Sequence, residues 1–190
     1  MTFGHARIQP RRSAQRQRGI SLFLVMMFLI ILSILGITAI QSSTLSARIA
    51  GNEADRTLAF QAAESALRDA EKDIKGTCVS PKCRTTPIAP ETADQFDTTC
   101  ALGLCLPNAT TPVWELKDNW TIDDRAAVYG AYTGATALPV VARQPRYLIE
   151  YFKLGESYVY RVSATGYGAS GTSDNPTTQV LLQTTVKALK

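Results

Sequence analysis

From position 20 to position 40 the chain carries no charged residue, and 14 of those 21 positions are Leu, Ile, Phe or Val. A helix needs about 20 mainly apolar residues to cross the hydrocarbon of a bilayer. At roughly −0.3 to −0.6 kcal/mol for each such side chain, the 14 large apolar residues favour insertion by about −4 to −8 kcal/mol. The pattern predicts a membrane helix over 20–40. It then changes without a break. Over 41–76, Phe60, Ala63, Leu67, Ala70 and Ile74 recur at three- and four-residue steps and draw one apolar stripe. Glu64–Arg68 and Glu71–Lys75 are i,i+4 pairs with the acid first, the stabilising order. Alanine, the best helix former, is frequent there, and no proline falls between Ile20 and Lys75. Gly76 closes the run as a helix-capping glycine. One continuous helix through both segments is expected.

The pattern after Gly76 is different. Residues 77–145 hold seven prolines and many threonines and predict an irregular region. Residues 146–190 return to period two. Tyr147, Ile149 and Tyr151 alternate with Leu148, Glu150 and Phe152, and Tyr158, Tyr160, Val162 and Ala164 alternate with Val159, Arg161, Ser163 and Thr165. Strands are expected over 146–152, 157–166 and 177–188, the first two joined as a hairpin and the last preceded by a polar loop. Three strands need a cover for their apolar face, and the stripe on the helix supplies one. The fold class is therefore α+β, a long N-terminal helix packed on a small antiparallel sheet.

Charge sharpens this picture. Five arginines and no acid precede Gly19, so residues 1–19 form a basic leader that holds the N-terminal end in the cytoplasm and sends the rest outward. The leader holds five of the 20 basic residues, leaving 15 against 16 acids in the remainder, so nothing there attracts nucleic acid. The only histidine, His5, also lies in the leader. A chain without another histidine lacks the commonest general base and metal ligand. No Gly-x-Ser-x-Gly element and no phosphate loop occurs, so no enzymatic role and no cofactor are expected. Glu64, Glu71 and Asp73 read as a solvated helix face. Asp118, Asp123 and Asp124 lack the spacing of a calcium loop, and Trp114 and Trp120 read as packing residues.

Cys78, Cys83, Cys100 and Cys105 form two C-x4-C pairs. In an oxidising compartment they read as two disulfides, with three pairings open and the local one, Cys78–Cys83 with Cys100–Cys105, taken first. The alternative is a signal-anchored periplasmic domain holding zinc through all four.

Gly19-Ile20-Ser21-Leu22 ahead of an apolar run resembles a prepilin leader. More specifically, Gln17-Arg18-Gly19, Leu35-Gly36-Ile37, Ala50-Gly51-Asn52, Arg56, Ala59-Phe60-Gln61-Ala62-Ala63-Glu64 and Leu67-Arg68-Asp69-Ala70-Glu71 resemble the N-terminal region of the PilX-type minor pilins of type IV pili. Pro145-Arg146-Tyr147 and Tyr160-Arg161-Val162-Ser163-Ala164-Thr165-Gly166 are similar to the same family. The resemblance implies cleavage after Gly19 by a prepilin peptidase and methylation of the new terminus at Ile20. It also implies an inner-membrane anchor with a periplasmic domain, and assembly with other minor pilins and a PilY-type tip adhesin into the complex that starts a pilus. Major pilins carry glutamate at the fifth position after the cleavage glycine, where this chain has Leu24. That departure points to the filament tip, and it is shared with the tip pseudopilin of type II secretion, the alternative reading within the filament class. Leu24, Ser33 and Gly36, with Thr38, are expected to pack against neighbouring helices in the filament core, and Phe60, Leu67 and Ile74 against the domain.

Overall fold

The structure is a computed structural model and describes residues 20–187. Gly19 and the rest of the leader lie outside the described residues, as does the expected last strand position, Ala188. The chain divides into two compact units, Met1–Arg48 and Ile49–Lys190. Helix α1, Ile20–Ile74, runs for 55 residues and belongs to both. Among the described residues it is the one helix long and apolar enough to cross a membrane. Gly76 adopts φ +66, and the Thr77 amide donates to the Lys72 carbonyl, which ends the helix as a left-handed glycine does.

Within the second unit the sheet is mixed and five-stranded. Its strands are β1 (Leu104–Cys105), β2 (Ala127–Val128), β3 (Arg146–Leu154), β4 (Ser157–Tyr167) and β5 (Gln179–Lys187). The order is β1-β3-β4-β5, with β2 also on β3. The β3–β4 hairpin turns at Gly155, which adopts φ +60 between the paired residues Leu154 and Ser157. β1 runs parallel to β3, so the sheet is not wholly antiparallel as the alternation predicted. β1 and β2 are two residues each, too short to leave a period in the sequence. The 77–145 region is otherwise irregular, with three 3-10 turns and the short helix α2, Lys117–Thr121.

The sheet is covered on both faces. Tyr147 and Ile149 of β3 and Tyr160, Val162 and Ala164 of β4 pack against Ala66 and Ala70 of α1. On the opposite face Leu148 packs with Cys100, Cys105, Val113, Trp120 and Ala126. This double cover explains why residues 145–150 are buried without interruption, where the sequence pattern called for a cover on the apolar face.

Candidate assembly site

Two surfaces carry the features that the sequence singled out. The first is the apolar part of α1 in the first unit. Its large side chains are exposed, from Ile20 at 72% to Leu24 at 48% and Ile31 at 44%. Two hydroxyls in this stretch are satisfied inside the helix: Ser33 donates to the Leu29 carbonyl at 2.7 Å and Thr38 to the Leu35 carbonyl at 2.9 Å. A helix whose backbone and hydroxyls are satisfied internally tolerates hydrocarbon or an apolar bundle equally well. At Gly36 an added Cβ would meet nothing within 4 Å, so the helix surface there is open to a neighbour.

The second surface is the junction of α1 with the sheet, in the second unit. Its buried helix face is made of alanines: Ala59, Ala62, Ala63, Ala66 and Ala70 are all 0–1% exposed. Small residues let the helix sit directly on β4. A Cβ built on Gly166 would lie 2.2 Å from both the Ala59 carbonyl oxygen and the Ala63 nitrogen. One turn nearer the N-terminus, Asp55 Oδ1 accepts from the Ala169 amide at 2.7 Å and the Ser170 amide at 3.0 Å, clasping the loop that leads to β5.

Two acids on the same helix face extend the junction. Asp69 and Asp73 are 2% and 4% exposed, continuing the alanine positions by helical steps. The Arg84 Nε donates to both oxygens of Asp73 at 2.8 and 2.9 Å, and the Tyr147 hydroxyl donates to Asp73 at 2.8 Å. Arg84 also stacks 3.7 Å over the Tyr132 ring and donates to the Leu102 carbonyl at 3.0 Å. Asp69 accepts from the Gly130 amide at 2.8 Å and from the Thr133 hydroxyl. Burial raises the Asp69 carboxyl above its ordinary range, and the Asp73 charge adds to the rise. Burial also pushes the Tyr147 phenol well up, again reinforced by Asp73, so its hydroxyl stays a donor.

These contacts correct two expectations. Asp73 is not on a solvated face; it neutralises Arg84 inside the domain. Phe60 does not lie on the sheet but is 48% exposed, while Leu67 and Ile74 are half-buried. The face that packs runs through 59, 62, 66, 69 and 73, a row of alanines and aspartates that an apolar count overlooks. Its signal was the helical spacing of alanine itself. Glu64 and Arg68 do form their i,i+4 ion pair.

The irregular region is tied down covalently and by hydrogen bonds. Cys78 bonds to Cys83 and Cys100 to Cys105. Cys100 and Cys105 are 0% exposed in the second core, beside Trp120. The Trp120 Nε1–H donates to the Trp114 carbonyl at 2.9 Å, and Asn119 Nδ2 donates to the Val113 carbonyl at 2.8 Å. With all four sulfurs so bonded, none is left as a thiolate for the alternative zinc site. Asp123 pairs with Arg146 at 3.1 Å, and Asp118, Asp123 and Asp124 do not gather into a cluster that could hold an ion among the described residues. Sequence reasoning missed the pair on the outer sheet face, where Glu150, 0% exposed, takes two hydrogen bonds from Arg161 at 2.7 and 2.6 Å.

A family model described as PilX N-terminal matches residues 18–68, and one described as type IV pilus assembly protein PilX C-term matches residues 101–188. No curated protein and no solved structure matches the chain.

Proposed function

The chain belongs to the PilX family of type IV pilus assembly proteins, which makes it a minor pilin, and from that premise we propose that it works at the pilus tip, in the complex that initiates assembly. The family is a structural component of the pilus and acts with other pilus components, and its apolar N-terminal helix fits membrane anchoring before assembly.

Leu24 carries the finer reading. In major pilins, the resemblance implies, a glutamate at this position meets the positive N-terminus of a neighbouring subunit inside hydrocarbon. An unpaired charge there costs several kcal/mol. Leu24 neither needs nor supplies such a partner, which suits a subunit at the end of the filament. A prepilin peptidase cuts after Gly19, where a side chain would crowd the scissile backbone, and leaves Ile20 as the methylated terminus. The helix then passes from membrane to filament core, two apolar surroundings, without exposing its surface to water. Leu24, Ser33 and Gly36 pack there against sister helices. The domain meets other minor pilins and a PilY-type tip adhesin in the periplasm.

The test is a single epitope on the domain, followed on sheared pili, together with deletion of the gene. One label per pilus, at one end, and loss of pili on deletion are expected. Labels spread along the fibre at the density of the major subunit would contradict the tip assignment.

A further inference from the structure

The cover that α1 and the sheet give one another thins out at β5. The β4 side chains that face α1, Tyr160, Val162 and Ala164, are 0–1% exposed. Their cross-strand partners on β5, Val186, Thr184 and Leu182, continue the same row but are only half-buried. On α1, the flank bearing Asp69 and Asp73 is tied to β3 and to Gly130 and Thr133. The opposite flank bears Phe60, Leu67 and Ile74, at seven-residue steps that stack them on one side of a helix. Phe60 is 48% exposed. Ile74 reaches the end of β5, where it bounds a cavity of about 120 Å³ with Ile88, Pro90, Tyr160 and Val186, rimmed by Lys75 and Lys187. The buried hydroxyl of Tyr160 has no hydrogen-bond partner among the described residues.

The outer edge of β5 completes the picture. Among the described residues no strand pairs with it, although β5 is nine residues long. From 177 to 186 the sequence has no charge, no proline and no glycine. Folded proteins normally blunt a long free edge with lysine, proline or a bulge, because its unpaired N–H and C=O groups are a template for another strand. Here only Lys187, at the very end, does so. The occupant of such an edge is defined by its hydrogen bonds: water satisfies them one by one, and only another extended backbone satisfies them in register.

We propose that the β5 edge accepts a strand from a neighbouring pilus subunit, an extended segment whose alternate apolar side chains cover Phe60, Leu67 and the cavity beside Ile74. The sheet is one strand short of the helix it covers, and the neighbour supplies that strand. The identity of the neighbour as a pilus subunit rests on the function proposed above; the strand-accepting edge does not.

The test uses the mature full-length protein in detergent micelles. The probe is a lysine-capped peptide of about ten residues, alternating Val and Thr, the length of an ordinary strand. Its control is the same peptide N-methylated at every second residue. On addition of the probe, alternate amides of β5 slow in hydrogen exchange by about tenfold or more, the Phe60 ring and Leu67 methyl resonances shift, and the control does neither. Equal effects of probe and control, or no protection in β5, would overturn the proposal while leaving the pilus assignment standing. Phe60→Lys, at an exposed position, keeps the thermal midpoint but weakens the probe's effect and lowers pilus number in cells. Unchanged probe binding and unchanged pilus number in that variant would remove the helix flank from the site. Protection of β5 that grows with protein concentration and needs no peptide identifies a second copy as occupant, which also overturns the proposal. A response that appears only when the chain is ended after Lys187 assigns the edge to the chain's own terminus, with the same consequence.

Discussion

Asp73 holds two donors at once, and its worth lies in what its removal would strand. The Arg84 side chain is 7% exposed and the Tyr147 hydroxyl is buried, and both are directed at the same carboxylate. Asp73→Ala leaves a buried guanidinium without its counter-charge, a loss of about 3–5 kcal/mol for a pair of this kind. The expected outcome is a large fall in the denaturation midpoint of the domain, and a change under about 1 kcal/mol would show that water reaches Arg84. Asp69, one turn away, behaves differently. Burial sets its folded carboxyl above the ordinary 3.8, so the contribution of its neutral form is fully present below that value and is lost as pH rises through the elevated folded value. Asparagine keeps the shape and an acceptor for the Gly130 amide without the charge. Asp69→Asn therefore gains stability relative to the parent as pH is raised from about 4 to about 7. Urea midpoints measured at the two ends of that range decide it; a parent that gains on the variant would put the sign the other way.

Helix and sheet meet through residues chosen for smallness, and the closeness is testable by adding a single carbon. At Gly166 the new Cβ would fall 2.2 Å from main-chain atoms of Ala59 and Ala63, which no side-chain rotation relieves. Gly166→Ala is expected to cost about 1–3 kcal/mol as the helix lifts from β4. The same change at Gly51, also in α1 but with nothing within 4 Å, should stabilise by up to about 1 kcal/mol through helix propensity alone. Opposite signs in two glycine-to-alanine variants, read as thermal midpoints, are the expected result; equal signs would mean that packing at Gly166 is loose. The same junction shows what was legible in the sequence and what was not. The strands at 146–154 and 157–167 were visible because Tyr147, Ile149, Tyr160 and Val162 keep period two. Helix α1 was visible from composition and spacing. Its true contact face was not, because Ala59, Ala62 and Ala66 look neutral and Asp69 and Asp73 look wet until Gly130, Thr133, Arg84 and Tyr147 are brought to them from distant segments. β1 and β2 were hidden for another reason: two-residue strands are set by the tertiary partner they join, here β3, and carry no pattern of their own.

For the whole molecule, the processing, anchoring and filament position proposed above all fall on a few positions near the start of α1, and under that proposal Leu24 is the one that separates a tip subunit from a shaft subunit. The described helix offers it an uncharged setting from Ile20 onward, with Ser33 and Thr38 bonded back to their own helix. Glutamate placed here while the protein is still in the membrane brings a charge into hydrocarbon, at a cost of a few kcal/mol that a nearby positive terminus offsets. In the proposed filament that terminus would belong to an adjacent subunit. On the proposed tip assignment, Leu24→Glu gives an end subunit the means to pair along the fibre. Labelled Leu24→Glu protein should appear at internal positions of sheared pili, whereas the parent labels one end. The variant's total amount in the membrane before assembly serves as the control for insertion. If equal amounts insert and the label still marks only the end, confinement to the tip comes from the domain and its partners, and Leu24 is a consequence of that position instead of its cause.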